Sequence, residues 1–193
     1  EALVRRGFAV ALLGRHHADV AATALELGPQ AHPFECDVAD AASVERAAAK
    51  VVGELGVPRV VVNNAGIIER ASVDEMSEQT WDHVLDVNLK GPFLVSRAFL
   101  PAMKRRGTGR LVHVSSISGT LGAARASAYC ASKWGLLGFM KSLAEELRGT
   151  GLQTLAVLPG STDTQMLVGS GYAAQMTADE VAATIVWAAL DAP

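Results

Sequence analysis

Apolar residues along this chain follow two rhythms that alternate from end to end. Stretches of strand length span Phe8 to Leu13, apolar throughout, and Arg59 to Val62, Arg110 to Val114 and Gln153 to Leu158, mostly apolar. A run that is apolar at successive positions, instead of every second one, is the pattern of a parallel strand covered on both faces. Longer stretches with helical spacing lie between them. Residues 1–7 read as the last turns of a helix, closing at Gly7 after Arg5 and Arg6, a usual C-terminal signature. A helix from His16 to Leu27, a short strand from Ala31 to Phe34 and a helix to Leu55, capped by Asp40, come next. A long helical region runs from about Ser77 to Arg105, with a bend marked by Gly91 and Pro92. A helix over 126–148 precedes the strand at 153–158, Pro159 and Gly160 break the chain, and Thr177 with Glu180 forms a capping box for a last helix to about Leu190. Strand and helix alternate with no repeat and no low-complexity linker, which predicts one α/β domain over 1–193. Its core is a doubly wound parallel sheet with right-handed crossovers.

Composition supports burial and narrows the function classes. Half of the residues are hydrophobic, 19% are charged, and mean hydropathy is +0.24, so a substantial core is expected. Seventeen basic against twenty acidic residues leave a formal charge of −3. No basic patch interleaved with aromatics appears, which argues against nucleic acid as a partner. The cluster Lys104-Arg105-Arg106 follows a helix and complements its negative end. Cys36 and Cys130 have no paired spacing, which points to a reducing compartment. No apolar run reaches the roughly 18 residues that span a bilayer, and no signal peptide opens the chain, so a cytoplasmic protein without a membrane partner is expected. No cluster has metal-ligand spacing. His16 and His17 are adjacent and solvated, His113 reads as a core histidine with its hydrogen bonds satisfied, and Trp81, Trp134 and Trp187 read as packing residues on helices.

Polar and glycine residues gather where the strands end: Gly14-Arg15, Asp37-Val38, Asn63-Asn64-Ala65-Gly66, Ser115-Ser116, and Pro159 through Thr164. Ligands of such sheets bind beyond the carboxyl ends of the strands. Five such ends in register indicate one crevice. Tyr129 and Lys133 are four apart in a helical stretch and share a face. A phenol titrates near pH 10 in water, about three units too high for work at neutrality, and a neighbouring ammonium lowers that value. The pair then suits general acid/base chemistry. The other reading is an amphipathic helix with both side chains on a solvated face.

In their order and spacing these residues resemble the short-chain dehydrogenases/reductases over nearly the whole chain. The motifs are Asn63-Asn64-Ala65-Gly66, Asp86-Val87-Asn88, Ser116, Tyr129-x-x-x-Lys133, and Pro159-Gly160 with Thr164. The resemblance implies a Rossmann-like fold and an enzyme that moves a hydride between a nicotinamide cofactor and a secondary alcohol or ketone. It implies Tyr129 as proton donor and acceptor and Lys133 as the group that lowers the tyrosine pKa and holds the nicotinamide ribose. Ser116, in preference to Ser115, would polarise the carbonyl, and Asn88 would hold a water in a proton relay. Thr164 would bind the carboxamide, Asp37 and Val38 would border the adenine, and Asn64, Ala65, Gly66, Pro159, Gly160 and Thr162 would complete the cofactor site. Arg15 stands where NAD-dependent members carry an acid and favours NADP, with NAD the alternative.

Two departures from the family pattern accompany the match. The family's opening strand and glycine-rich turn are not here, and neither is its last strand. The opening strand belongs between the strands at 8–13 and 59–62, so both are expected to show open edges. The chain is therefore expected to be an incomplete piece of a longer protein. The segment between Thr164 and Thr177 is short and mixes Met166, Leu167, Val168, Tyr172 and Met176 with Gly169 and Gly171. That composition suggests a mobile lid over a small alcohol or carbonyl compound, and the resemblance leans towards the branch acting on small hydroxy acids and sugars more than towards the oxoacyl-thioester reductases. Apolar faces at Phe93, Leu94, Phe99, Leu100, Leu136, Leu137, Phe139 and Met140 match the family's subunit interface and imply a homodimer or homotetramer; alternatively they only cover the sheet. A non-catalytic or cofactor-free protein of the same fold is the competing function, though Asn88, Ser116, Tyr129 and Lys133 are all present.

Overall fold

Each apolar run becomes a strand and each amphipathic stretch a helix in a computed structural model that describes residues 1–193. In chain order these are α1 (Ala2–Arg5), β1 (Val10–Gly14), α2 (His17–Leu27), β2 (Ala31–Glu35), α3 (Ala41–Leu55), β3 (Val60–Asn63), α4 (Glu78–Leu85), α5 (Gly91–Arg106), β4 (Gly109–Val114), α6 (Ser127–Glu146), β5 (Leu152–Val157) and α7 (Ala178–Leu190). No helix is long and apolar enough to cross a membrane.

All strand pairs are parallel, but the ladder is not continuous. β1 pairs with β2, with Leu12 opposite Pro33. β3, β4 and β5 form a separate sheet, with Val61 opposite Leu111 and Leu111 opposite Thr154. β1 and β3 share no ladder bonds, so each offers an open edge, as the strand order led one to expect. Pro33 has no N–H to donate and sits in β2, an edge strand, where the loss is tolerated.

Side chains cover both faces of β4. Leu111 packs into a core with Leu94, Phe99, Met103 and Leu143 from α5 and α6. Val112, pointing the other way, packs with Val157 and with Ala188 and Ala189 of α7. The helices present regular stripes to this core: in α3 the buried positions are Val44, Ala47, Ala48 and Val51, the spacing of one helical face. Asp40 accepts from the N–H groups of Ala42 and Ser43 at the start of α3, and the Thr177–Glu180 capping box opens α7. Gly107, with φ 81°, ends α5 after its three basic residues.

The expected bend near Gly91 takes a particular form. Residues Asp86–Lys90 make a π-helical turn that joins α4 to α5 without a break. Pro92 lies in the first turn of α5 and offers no N–H to the turn before it, so the helix widens there.

One expectation about packing needs correction. Trp134 and Trp187 do not fill the core; they are 55% and 52% exposed. The apolar face of α5 and α6 divides: Leu94, Phe99 and Leu136 are buried over the sheet, whereas Phe93 is exposed.

His113 is fully buried in β4. Its Nδ1 lies 3.2 Å from Asn63 Nδ2, its ring meets Phe139 edge-on at 5.6 Å, and Nε2 has no partner. Burial pushes its pKa down from 6.5 to about 4. The unfolded chain takes up this proton near pH 6.5 and the fold does not. The neutral ring's contribution is therefore complete above pH 6.5 and is lost as pH falls to about 4. The change amounts to about 3 kcal/mol across that window. His113→Leu should flatten the pH dependence of the urea midpoint there; parallel slopes in parent and variant would refute the assignment.

Candidate active site

The stripe that α6 turns inward begins polar and ends apolar. Tyr129, Ser132, Lys133, Leu136 and Leu143 are all buried, at the spacing of one helical face. Tyr129 is 8% exposed and Lys133 only 4%, which rules out the solvated-face reading. An ammonium enters such a place only with partners. Lys133 Nζ donates to the carbonyl of Val114, the last residue of β4, at 2.8 Å. Burial lowers its pKa to about 8.

Ser115 and Ser116, just beyond β4, separate into two roles. Ser115 Oγ donates to the Lys133 carbonyl at 3.1 Å and so fastens the strand end to α6. Ser116 accepts from the Ser118 N–H at 3.1 Å, capping the short helical turn Ile117–Gly119. Of these two hydroxyls it is Ser116 that bears on the Tyr129 phenol. The turn lies directly on α6: a Cβ at Gly119 would stand 2.8 Å from Ser115 Oγ and 3.0 Å from the Lys133 carbonyl.

Asn88 occupies the π-helical turn and is fully buried. Its Oδ1 accepts from the Ile67 N–H at 2.8 Å. Its Nδ2 donates to the Ile67 carbonyl at 2.9 Å and to Ser132 Oγ at 3.1 Å. Ser132 in turn donates to the Tyr129 carbonyl at 2.7 Å. One amide thus ties the loop after β3 to α6. A Cβ at Gly66 would sit 3.4 Å from Asn88 Oδ1 and 3.5 Å from Lys133 Nζ, so glycine leaves open the space between the two groups. Ser132 could have been read from the helical spacing of Tyr129; the backbone of Ile67 and the fit of Gly119 leave no signal in the sequence.

The direction of the Tyr129 shift differs from expectation. Burial raises its pKa, the Ser116 hydroxyl pulls it back, Cys130 adds to the rise, and Arg70 opposes it. Lys133 does not set the direction here, because its ammonium bonds the Val114 carbonyl and lies 5.6 Å from the centre of the Tyr129 ring.

The remaining strand-end residues border the same edge. Arg15 is exposed after β1, and the Cys36 N–H donates to the Gly14 carbonyl at 2.8 Å, linking the ends of β1 and β2. Asp37 accepts from the Ala39 N–H at 2.9 Å, while Val38 packs on Gly91 at the start of α5. Asn64 and Ala65 are exposed and Gly66 half-buried. The Pro159 carbonyl accepts from the Ile117 N–H at 2.9 Å, and Thr162 Oγ1 donates to the Gly160 carbonyl at 3.2 Å. Thr164 opens the turn Gln165–Leu167. Ser161 with Gln175, and Asp163 with Met176, close the base of this lid by backbone bonds. Met166, Val168 and Tyr172 are exposed on it.

Comparison with known proteins agrees with this geometry. The family profile described as "short chain dehydrogenase" matches residues 1–173. The short chain dehydrogenase pigC of Monascus ruber is 43% identical over 158 residues, covering 81% of this chain and 52% of that protein. D-threitol dehydrogenase of Mycolicibacterium smegmatis is 37% identical over 174 residues, covering 82% of this chain and 66% of the relative. The chain thus spans between half and two thirds of these relatives' length. Among solved structures, a tryptophan variant of actinorhodin polyketide ketoreductase with NADPH superposes with a TM-score of 0.83 at 37% identity, over 86% of this chain and 65% of that one. With a buried Tyr129–Lys133 pair at the strand ends and a family match across nine tenths of its residues, this chain belongs to the short-chain dehydrogenase family of oxidoreductases.

Proposed function

We propose that the protein transfers a hydride between NADP(H) and a secondary alcohol or its ketone, with Tyr129 as general acid and base. The observation that carries this is the convergence of Asn88, Tyr129 and Lys133, all buried, with Ser116 at the carboxyl end of β4. Structural lysines seldom go so deep without a carboxylate, and a strongly shifted group in such a place marks a functional site.

The residues present suit the nicotinamide half of the cofactor. Lys133 uses one N–H on Val114, which leaves two of an ammonium's three donors beside the space that Gly66 keeps free. That donor set fits ribose hydroxyls; Thr164 would bind the carboxamide, and Pro159, Gly160 and Thr162 would complete the cofactor site. Asn64 and Ala65 continue the same edge, Asp37 and Val38 suit the adenine, and Arg15 suits a 2′-phosphate. When bound, the nicotinamide supplies the hydride acceptor or donor. In oxidation, Ser116 holds the substrate oxygen while the Tyr129 phenolate takes the hydroxyl proton and the carbon–hydrogen bond gives up its electron pair with the hydrogen. In reduction Tyr129 returns that proton to the oxygen. Lys133 would pass protons between Tyr129 and a water held by Asn88 that leads to solvent. The raised Tyr129 pKa keeps the phenol protonated at neutral pH, the form that reduction requires.

Tyr129→Phe should lower turnover by about 10²- to 10⁴-fold, the usual contribution of a general acid/base, with cofactor affinity retained. Assays of ketone reduction beside NADPH fluorescence titration test this, and undiminished turnover would sink the assignment. Arg15→Glu should weaken NADPH binding by about ten- to a hundredfold and leave NADH binding in place; an equal effect on both cofactors would remove Arg15 from the phosphate site. For assembly we propose a homo-oligomer through α5 and α6, supported by the exposed Phe93 and Trp134. Trp134→Glu should shift the mass measured by light scattering to that of a monomer, whereas an unchanged mass places the interface elsewhere.

A further inference from the structure

Arg70 is the one side chain near Tyr129 whose charge the proposed reaction does not use. It lies two residues beyond Ile68, which packs on Ala126, Tyr129 and Cys130, and directly after the exposed Glu69, which forms no ion pair with it. It precedes Ala71, whose N–H donates to the Arg125 carbonyl at 3.0 Å. Segment 67–71 is therefore held at one end by Asn88 and at the other by the loop that leads into α6. From this fixed base the half-buried Arg70 reaches over to the lid, where Nη2 donates to the Met166 carbonyl at 2.9 Å. It thus bonds the segment over the site from a base that also packs on Tyr129 through Ile68.

The charge of Arg70 is uncompensated. No carboxylate pairs with it, whereas Arg125 in the adjoining segment is matched by Glu75 at 3.9 Å. One bond to Met166 leaves four of the guanidinium's five donors, and a carboxylate can take two of them side by side. Its field reaches the Tyr129 phenol, where it favours the phenolate. A cation on the cover of the site, with no carboxylate of this chain paired to it, would suit one negative charge on a ligand there.

Resting on the hydride-transfer reading above, we infer that Arg70 is a specificity residue that binds a single carboxylate of the substrate, so that the protein acts on a small hydroxy or oxo acid. Its bond to Met166 also couples that recognition to the lid: the guanidinium that holds the substrate's anion holds the cover as well.

The test compares 3-hydroxybutyrate with its methyl ester, the same alcohol with and without the charge, in the parent protein and in Arg70→Met, Arg70→Gln and Arg70→Lys. The parent should favour the acid. The acid-to-ester ratio of kcat/KM should fall by at least about tenfold in Arg70→Met, the loss of one charge-assisted hydrogen bond. Arg70→Gln, which can still donate to Met166, should show the same fall, and Arg70→Lys should recover part of it. A ratio that stays constant while both substrates slow would show that Arg70 only tethers the lid and would overturn the inference. Turnover of neither compound would instead count against the hydride-transfer reading. The binding arm then decides Arg70 separately. 3-Hydroxybutyrate alone should raise the Tm of the parent and not of Arg70→Met, and equal shifts in both would refute carboxylate binding.

Discussion

Putting an ammonium inside the protein is the constraint around which this site is built. Lys133 keeps a pKa of about 8 against an ordinary 10.5, so at neutral pH it is charged in spite of burial. That shift corresponds to about 3 kcal/mol against the charged form. The neighbouring structure limits the loss. β4 stops at Val114 so that its carbonyl meets the ammonium. Ser115 fixes the lysine's own backbone, and Gly119 lets the following turn lie close enough to exclude water. Asn88 and Ser132 satisfy one another and the backbone at both ends. A polar network buried this deeply holds one geometry, because any partner lost leaves an orphaned group behind.

Burial acts on the two reactive groups in the same way, towards their neutral forms. The lysine falls and the tyrosine rises, each because desolvation outweighs the charges around it. Helical spacing correctly placed the phenol and ammonium on one face but could not say how dry that face is. The shift depends on neighbours far away in sequence, such as Arg70, and on a hydroxyl, Ser116, positioned by the end of another element.

Much of the architecture was nevertheless legible. Continuous apolar runs became strands to within two residues at either end, because parallel strands must be apolar on both faces. Asp40 and Thr177 capped the helices they were expected to cap, since a cap needs only a local oxygen. Less legible were features that rest on distant fit. Trp134 and Trp187 turned outward because the core positions of their helices were already taken by smaller residues such as Leu136 and Ala188. The π-helical turn that aims Asn88 has no composition of its own; Pro92 marks it only in hindsight. The clamp from Asn88 to Ile67 uses backbone atoms, to which a sequence is silent.

Residues 1–193 supply no ladder bond between β1 and β3, which leaves a seam between the two sheets they form. A hydrogen-bonded ladder resists sliding because every step breaks directional bonds; across this seam that resistance is missing. What joins the halves is apolar packing, chiefly of α3 with α5, in a cluster that includes Val44, Ala47, Leu94 and Phe99, together with the exposed ion pairs Arg6–Asp191 and Arg97–Glu45. Such contact holds surfaces together while leaving their register soft. Arg15 and Asp37 belong to one half, Tyr129 and Lys133 to the other. A ligand long enough to touch both groups would therefore act as a stitch across the seam, adding cohesion in proportion to its occupancy and making the binder part of the scaffold that binds it.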